Sequence, residues 1–344
     1  MVYIDLESTD VYENFGLEYY LAKEKNLEDT VFLFWRTTPT LMLGKYQNLA
    51  EEVNLPYARE QKMNLVRRMS GGGTIYTDPG GWQFTFIDRY KEEGIEFKKY
   101  LSPVLDALAK LSIKAEFNGR NDLCIEGRKF SGNAQYHLGE SIVHHGSLLF
   151  STDIEKMVNS TTVDEYKIIS KSIQSVRERV CNISDHLQEK ISPENFKELM
   201  VSAILGEENK ANRLELSKEE ILRVKELAKT HFQNWDSLYG KNPKFNMEKI
   251  GRFPGGKMHF SLEIQKGKIQ EASISGDFFS TLDPEEISKA FVGLAFDRDS
   301  LLKGLRERGL EGKSTNAVEN LKLRMNRLVI VENDSERTKR MKSI

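Results

Sequence analysis

The residues of this chain best suited to chemistry are Arg67-Arg68-Met69-Ser70-Gly71-Gly72-Gly73, with Thr74-Ile75-Tyr76 directly behind them. Three adjacent glycines bare main-chain N–H groups and admit positive φ, while each guanidinium offers a planar fork of donors matched to carboxylate or phosphate. The segment therefore has the composition of an anion site. Arg67 can equally be a solvated charge at a strand end, and Gly71 and Gly72 can be turn formers, which leaves Arg68 and Gly73 as the stronger contact candidates. A Rossmann fingerprint or a P-loop would open a helix straight after its glycines, and a P-loop also needs Gly-Lys-Ser/Thr. Here strand patterns lie on both sides instead.

A second constellation is Asn121-Asp122-Leu123, followed by Gly127-Arg128-Lys129-Phe130-Ser131-Gly132-Asn133-Ala134. Lys129 falls just past a tight turn, where an ammonium can be held against a ligand oxyanion, and the small residues after it leave room and donors. Asp122 or Asn121 could help hold Mg²⁺, which takes a few protein oxygens and completes its shell with water and phosphate. Taken alone, an exposed Gly-Arg-Lys hairpin is more often a solvated turn. His144 and His145 are adjacent on a strand pattern, so at most one points inward and a metal pair is disfavoured.

The elements that must position these groups follow from local pattern. Asp10 is placed to cap a helix reaching about Lys23, with Val11, Phe15 and Tyr19 at helical spacing. Val31–Trp35 and Thr40–Gly44 read as paired strands joined by Thr37-Thr38-Pro39. Met63–Val66 and the run around Trp82, Phe84 and Phe86 give strand–loop–strand about the glycines, the three aromatics reading as core, with turn chemistry at Asp78-Pro79-Gly80-Gly81. A helix over Leu101–Leu111 precedes strands at Leu123–Glu126 and through Ser141–Phe150. Ser192 to His231 is charged and helical, with Leu199, Ile204, Ile221, Val224 and Leu227 as core contacts. A composition shift at Tyr239-Gly240-Lys241-Asn242-Pro243 precedes a hairpin about Lys266-Gly267-Lys268, helices from Pro284 and Asp299, and a polar end from Asn333. The mixed order implies an α+β sheet rather than a regular βαβ array.

At 344 residues the chain suits one large and one small domain. Lys+Arg (50) and Asp+Glu (52) nearly cancel, so no global field favours wrapping nucleic acid. Cys124 and Cys181 are the only cysteines. That is too few for a disulfide framework and fits a reducing compartment, with Cys181 expected as a buried, inert thiol. The start has no basic n-region, and no run approaches about 18 apolar residues. A soluble, cytoplasmic protein with no membrane segment is the expectation.

Together the two constellations resemble the lipoate-protein ligase A family. The likeness extends over nearly the whole chain, from Trp35 and Gly44 through Gln47-Asn48, the Arg-Arg-x-Ser-Gly-Gly-Gly segment, Asn121-Asp122-Leu123, Gly127 to Ala134 and Tyr239 to Pro243. It implies a biotinyl/lipoyl ligase-like catalytic domain of the α+β class, with a mixed/antiparallel sheet over residues 1–246, and a small α+β accessory domain over 247–344. It implies ATP and Mg²⁺, with lipoate as substrate, activated to lipoyl-AMP and passed to a lysine of a carrier protein. That carrier would be a lipoyl domain of a 2-oxoacid dehydrogenase E2 subunit or a glycine-cleavage H-like protein, and the enzyme a monomer with neither nucleic acid nor membrane as partner.

By the same resemblance Lys129 binds the lipoate carboxylate and later the acyl-phosphate oxygens, with Arg68 and the glycine-loop N–H groups around the adenylate. Trp35 and Leu43 enclose the dithiolane and its arm. Ser70, Gly73, Thr74, Tyr76, Thr77 and Asp78 from the first constellation contact substrate or adenylate. Asn121, Asp122, Gly132, Asn133 and Ala134 do so from the second, Asp122 also serving Mg²⁺. Two positions depart from the family pattern: Thr77 stands where histidine is usual, and Gly81 where asparagine is usual. Rival readings are an octanoyl or lipoyl transferase working through a Cys124 thioester, a biotin ligase, and a carrier-binding relative without catalysis.

Overall fold

Strand formers in the first part of the chain segregate into two sheets. The computed structural model describes residues 1–25, 27–47, 49–89, 96–119, 121–161, 176–206, 213–233, 238, 247–253, 256–265, 268–278, 283–295 and 298–310. The chain divides into two compact units, Met1–Gly240 and Lys241–Ile344. Strands of the first unit are β1 (Val2–Asp5), β2 (Val31–Trp35), β3 (Thr40–Leu43), β4 (Asn64–Arg67), β5 (Ile75–Thr77), β6 (Gly81–Arg89), β7 (Ala115–Asn118), β8 (Asp122–Ile125), β9 (Arg128–Leu138) and β10 (Ser141–Leu149). Its helices are α1 (Val11–Tyr20), α2 (Leu49–Glu52), α3 (Leu55–Glu60), α4 (Phe97–Lys110), α5 (Ile154–Thr161), α6 (Pro193–Leu205) and α7 (Lys218–His231). The large sheet runs β1-β2-β6-β10-β9-β8-β7 and the small one β4-β3-β5.

Strands β2 and β3 do not form the expected hairpin. Both are buried at every position, and each is central in its own sheet: β2 between β1 and β6, β3 between β4 and β5. With both edges of each strand occupied, Thr37-Thr38-Pro39 carries the chain from one sheet to the other.

Alternation in β2 and β6 sorts two covered faces, not core from solvent. One face is aromatic: Phe34 stacks on Trp82 and Phe32 on Phe86, with ring centroids 5.2 and 5.0 Å apart. Tyr100 of α4 and Phe196 of α6 close over it. The register places Leu33, Trp35, Gln83, Thr85 and His145 on the opposite face. There Phe15 and Leu17 of α1, together with Met42 and Val66 of the small sheet, complete a second core. His144 and His145 are therefore both buried, at 0% and 7% exposure, where reading one sheet face as solvent allowed only one.

Caps fall where expected at Asp10, whose side chain accepts from the Tyr12 and Glu13 amides, and Ser217 with Glu220 closes a capping box on α7. Val224 and Leu227 are core, whereas Leu199 and Ile221 are 43% and 42% exposed on their helices. The second unit holds an antiparallel sheet of β11 (Met247–Phe253), β12 (Gly256–Gln265) and β13 (Lys268–Phe278), with α8 (Pro284–Phe291) and α9 (Arg298–Glu307). The composition shift at Tyr239–Pro243, the turn at Lys266-Gly267 and the polar end from Asn333 lie outside the described residues.

Candidate active site

Strands β4 and β5 both pair with β3, so the glycine loop between them spans the end of the small sheet. Gly44 allows its closest approach: a Cβ there would lie 1.9 Å from the Gly72 carbonyl oxygen. The Lys45 amide donates to the Ser70 carbonyl at 2.8 Å. Gln47 Oε1 accepts from the Gly44 amide and the Thr74 hydroxyl, both at 2.8 Å. Gly72 supplies the positive φ, 93°.

Both arginines are spent on carbonyls. Arg67 Nη1 donates to Gly44 O at 3.0 Å and Gln47 O at 2.6 Å. Arg68, 5% exposed, donates to Met42 O (2.7 Å), Gly71 O (2.9 Å), Gly73 O (2.7 Å) and Ser70 Oγ (3.0 Å). These bonds turn the Arg68 fork onto the Met42 carbonyl of β3 and onto the loop itself. The Gly71, Gly72 and Gly73 amides donate to no acceptor among the described residues, which leaves N–H groups of the kind that suit an anion.

Beneath the loop lies a hydrogen-bonded chain. Ser70 Oγ is 2.6 Å from His145 Nε2. His145 Nδ1 is 3.2 Å from both carboxylate oxygens of Glu18. Glu18, 1% exposed, also accepts from the Thr85 and Tyr136 hydroxyls, each at 2.9 Å. Trp35 Nε1 donates to Thr85 Oγ1 at 3.1 Å, so this fully buried indole supports the chain from behind. Sequence reasoning missed Glu18, Gln47 and Thr85, and gave His145 only a backbone contact to adenine, by resemblance, or a structural place. The available signal was a carboxylate at position 18, on the helix stripe marked by Val11, Phe15 and Ala22.

Lys129 stands at the start of β9, after a two-residue Glu126-Gly127 turn with φ of 52° and 76°. Its main chain is clamped by Arg179 O (2.8 Å) and the Cys181 amide (3.0 Å). The ammonium is 2.7 Å from Asp122 Oδ1, and a Cβ on Gly132 would meet it at 3.2 Å. Register puts Gly132 and Ala134 on the face shared with His145 and Ser147, a floor of small residues. Asn121 and Asn133 tie the strands: Asn121 Nδ2 donates to Asn133 O at 2.8 Å, and the Asn133 amide to Asn121 O at 3.0 Å. The Asn133 side chain points the other way, since Gly146 on the aromatic face leaves its space.

The downstream edge has a packing task. Thr77, 2% exposed, accepts from Gln83 Nε2 at 2.6 Å and from the Thr37 hydroxyl at 3.5 Å. The Asp78 carboxylate accepts from the Gly80 and Asp153 amides at 3.0 and 2.9 Å, and burial pushes its pKa up. Tyr76 sits in the core of the small sheet, its phenol raised by burial. A Cβ on Gly80 would meet Ser151 O at 2.3 Å and one on Gly81 would meet Thr152 Oγ1 at 2.9 Å. Gly81 therefore fits its turn, which a side-chain amide would crowd.

Among the described residues no cluster of three or more His, Cys, Asp or Glu side chains is poised to hold a metal. The Asp122 carboxylate, on a side chain one-third exposed, offers hard oxygen of the kind that suits an ion taking most of its shell from water and phosphate. Burial raises the thiol pKa of Cys124 and of Cys181, which opposes thiolate chemistry at either. No helix among the described residues is long and apolar enough to cross a membrane.

Residues 10–205 match the family described as lipoyl protein ligase A/B catalytic domain, and residues 242–321 match that described as bacterial lipoate protein ligase C-terminus. The lipoate-protein ligase LplJ of Bacillus subtilis is 38% identical over 302 residues, 87% of this chain and 91% of that protein. Lipoate–protein ligase 1 of Staphylococcus aureus is 35% identical over 300 residues, again 87% and 91%. Among solved structures, P. falciparum LipL1 in complex with lipoate superposes with a TM-score of 0.78 at 21% identity, covering 93% of this chain and 98% of that one. The bipartite lipoate protein ligase of Thermoplasma acidophilum, solved in a study with its E2 lipoyl domain, gives 0.63 at 21%, covering 72% and 98%. Lipoate-protein ligase A bound with ATP gives 0.58 at 20%, covering 70% and 98%. These likenesses establish the α+β fold.

Proposed function

The chain belongs to the lipoyl protein ligase A/B family, and from that premise we infer that it is an ATP- and Mg²⁺-dependent lipoate-protein ligase, joining lipoate to ATP as lipoyl-AMP and then transferring the lipoyl group to a carrier lysine. The observation that carries this reading is Lys129, a half-exposed ammonium over a floor of small residues, in a chain matching the family along both units.

Activation brings a carboxylate against a triphosphate, so the site must offset like-charge repulsion without consuming either partner. Lys129 binds the lipoate carboxylate, then the acyl-phosphate oxygens. The Gly71, Gly72 and Gly73 amides receive phosphate oxygens, and Arg68 acts at one remove by holding their loop. Thr74 is bound to Gln47 from the same loop, beside Ser70. Asp122 would hold Mg²⁺, which when bound would screen phosphate charge. In the second half-reaction the incoming lysine is the nucleophile, so no protein thiol or hydroxyl need carry the acyl group. The buried state of Cys124 weighs against the transferase alternative.

Catalysis falls to residues 1–246 and an accessory role to 247–344. The partner is a lipoyl domain, from a 2-oxoacid dehydrogenase E2 subunit or a glycine-cleavage H-like protein, and the enzyme works as a cytoplasmic monomer. The test is a panel of purified carriers incubated with protein, ATP, Mg²⁺ and lipoate and read by intact mass. A lipoyl increment on at least one carrier, dependent on ATP, is expected; its absence from all of them would reject the assignment.

A further inference from the structure

We propose that Gln47 is a positioning residue for ATP binding: its side-chain oxygen closes the glycine loop at Thr74 and so sets the spacing of the Gly71, Gly72 and Gly73 amides. The inference rests on the ligase reading above. Its basis is a loop fastened at both ends to one turn, with donors left over only in the middle.

The turn is Gly44–Gln47, at the exit of β3. The Gln47 amide donates to Gly44 O at 3.2 Å. Arg67 Nη1 donates to the carbonyls of Gly44 (3.0 Å), Lys45 (3.3 Å) and Gln47 (2.6 Å), so three acceptors of the turn converge on one guanidinium nitrogen and hold its shape. From this turn two bonds reach the loop. The Lys45 amide donates to Ser70 O at 2.8 Å, on the near side of the glycines. The Thr74 hydroxyl, on the far side, donates to Gln47 Oε1 at 2.8 Å.

The Gln47 side-chain amide has one orientation open to it. The Gly44 N–H can only donate and lies 2.8 Å away, so the atom it faces is the oxygen. That oxygen therefore accepts twice, once from the turn and once from the loop. Gln47 is 4% exposed, which shields both bonds from competition with water.

Between the two fastenings the Gly71, Gly72 and Gly73 amides donate to no acceptor among the described residues. Residues without Cβ have wide backbone freedom, and N–H donors serve an anion best when their spacing is held before it arrives. Arg68 takes the Gly71 and Gly73 carbonyls; Gln47 holds the residue that follows them. With that bond gone, ATP must order the far half of the loop as it binds, and its affinity falls by the cost of doing so. A triphosphate uses more of these donors at once than the single phosphate of lipoyl-AMP. Activation is therefore the half-reaction that depends on Gln47.

Lipoyl-AMP formation at varied ATP and varied lipoate, and single-turnover transfer from preformed lipoyl-AMP, are measured for wild type, Gln47→Ala, Thr74→Val, the double variant and Thr74→Ser, with thermal melts as a fold check. Thr74→Val is expected to raise the KM for ATP about fivefold, the change that one net hydrogen bond produces. Gln47→Ala, which also strands the Gly44 N–H, should raise it at least about tenfold, with the KM for lipoate and the transfer rate within about threefold of wild type. The double variant should match Gln47→Ala within about twofold, because both changes break one bond. Thr74→Ser, which keeps the hydroxyl, should recover most of what Thr74→Val loses. Should Gln47→Ala fail to fold, the two Thr74 variants carry the test. Effects that multiply in the double variant would mean that Thr74 meets the nucleotide itself, and KM values for ATP and lipoate that rise together would leave Gln47 a structural role only; either result overturns the proposal. Absence of lipoyl-AMP in the wild-type protein would instead remove the ligase reading, and the proposal with it.

Discussion

The Lys129 ammonium rests 2.7 Å from the Asp122 carboxylate, with 41% and 35% of the two side chains exposed. A pair so open to solvent contributes about 0–1 kcal/mol to folding. Its worth is positional: it holds the ammonium over Gly132. Asp122→Asn is expected to leave the denaturant midpoint nearly unchanged while raising the Mg²⁺ concentration needed for half-maximal adenylation several-fold. Titration of lipoyl-AMP formation against Mg²⁺ checks this, and an unaltered Mg²⁺ curve would remove Asp122 from the metal site.

Arg68 sets the shape of the glycine loop by donating to three main-chain carbonyls and one hydroxyl. A lysine keeps the charge but lacks the fork, leaving buried carbonyls unpaired. Arg68→Lys should lose about 2–4 kcal/mol in urea unfolding, by the cost of stranding such groups. Adenylation should fall with it, because the free glycine amides lose their spacing. Full stability with reduced adenylation would point instead to direct ligand contact.

Thr77 occupies the place where the family usually has histidine. Its hydroxyl is hydrogen-bonded by Gln83 and Thr37, and the residue is 2% exposed. Thr77→His is expected to destabilise by about 1–3 kcal/mol through overpacking without raising activity. A thermal melt together with an adenylation assay decides the point, and a gain in rate would mean the departure had cost the enzyme a contact.

Much of the fold was legible from residue order, and the Gly-rich backbone, Lys129 and the small residues after it stood out because they have few structural uses in combination. The departures share one cause. Strand alternation in β6 was read as core against solvent, but Gln83 and Thr85 face a second covered layer, and with them Glu18 and His145. Only the packing of α1 and the small sheet over that face reveals a polar network there. The β2–β3 pairing failed for a related reason: propensity marks strands, while the partner depends on which edges are free. Nor can sequence show that the Arg68 donors meet the Met42 carbonyl of β3 as well as Ser70, Gly71 and Gly73 of its loop.

His144 lies between Phe84 and Tyr100, with ring centroids 6.1 and 5.0 Å away, and neither ring nitrogen has a hydrogen-bond partner among the described residues. Burial holds its pKa well below the ordinary value, with the nearby His145 adding to the effect. A depressed folded-state pKa means its contribution is complete above the unfolded value, about 6.5, and is lost as pH falls below that. Native stability should therefore decline on that limb by up to about 1.4 kcal/mol per pH unit from this group. His144→Phe should match wild type within about 1 kcal/mol at pH 8 and show a shallower decline between pH 6.5 and 5. Parallel urea stability curves for the two proteins would disprove this.

Lys129 is the cation proposed to meet the lipoate carboxylate and stabilise its adenylate. The direct measurement is formation of lipoyl-AMP by purified protein with ATP, Mg²⁺ and lipoate and no carrier, in wild type and Lys129→Ala. Lipoyl-AMP that accumulates in the wild type and falls by at least about 100-fold in the variant, with an unchanged melting temperature, is the predicted result, in the range that loss of a preorganised stabilising group produces. Wild-type levels of lipoyl-AMP in a folded Lys129→Ala protein would contradict it.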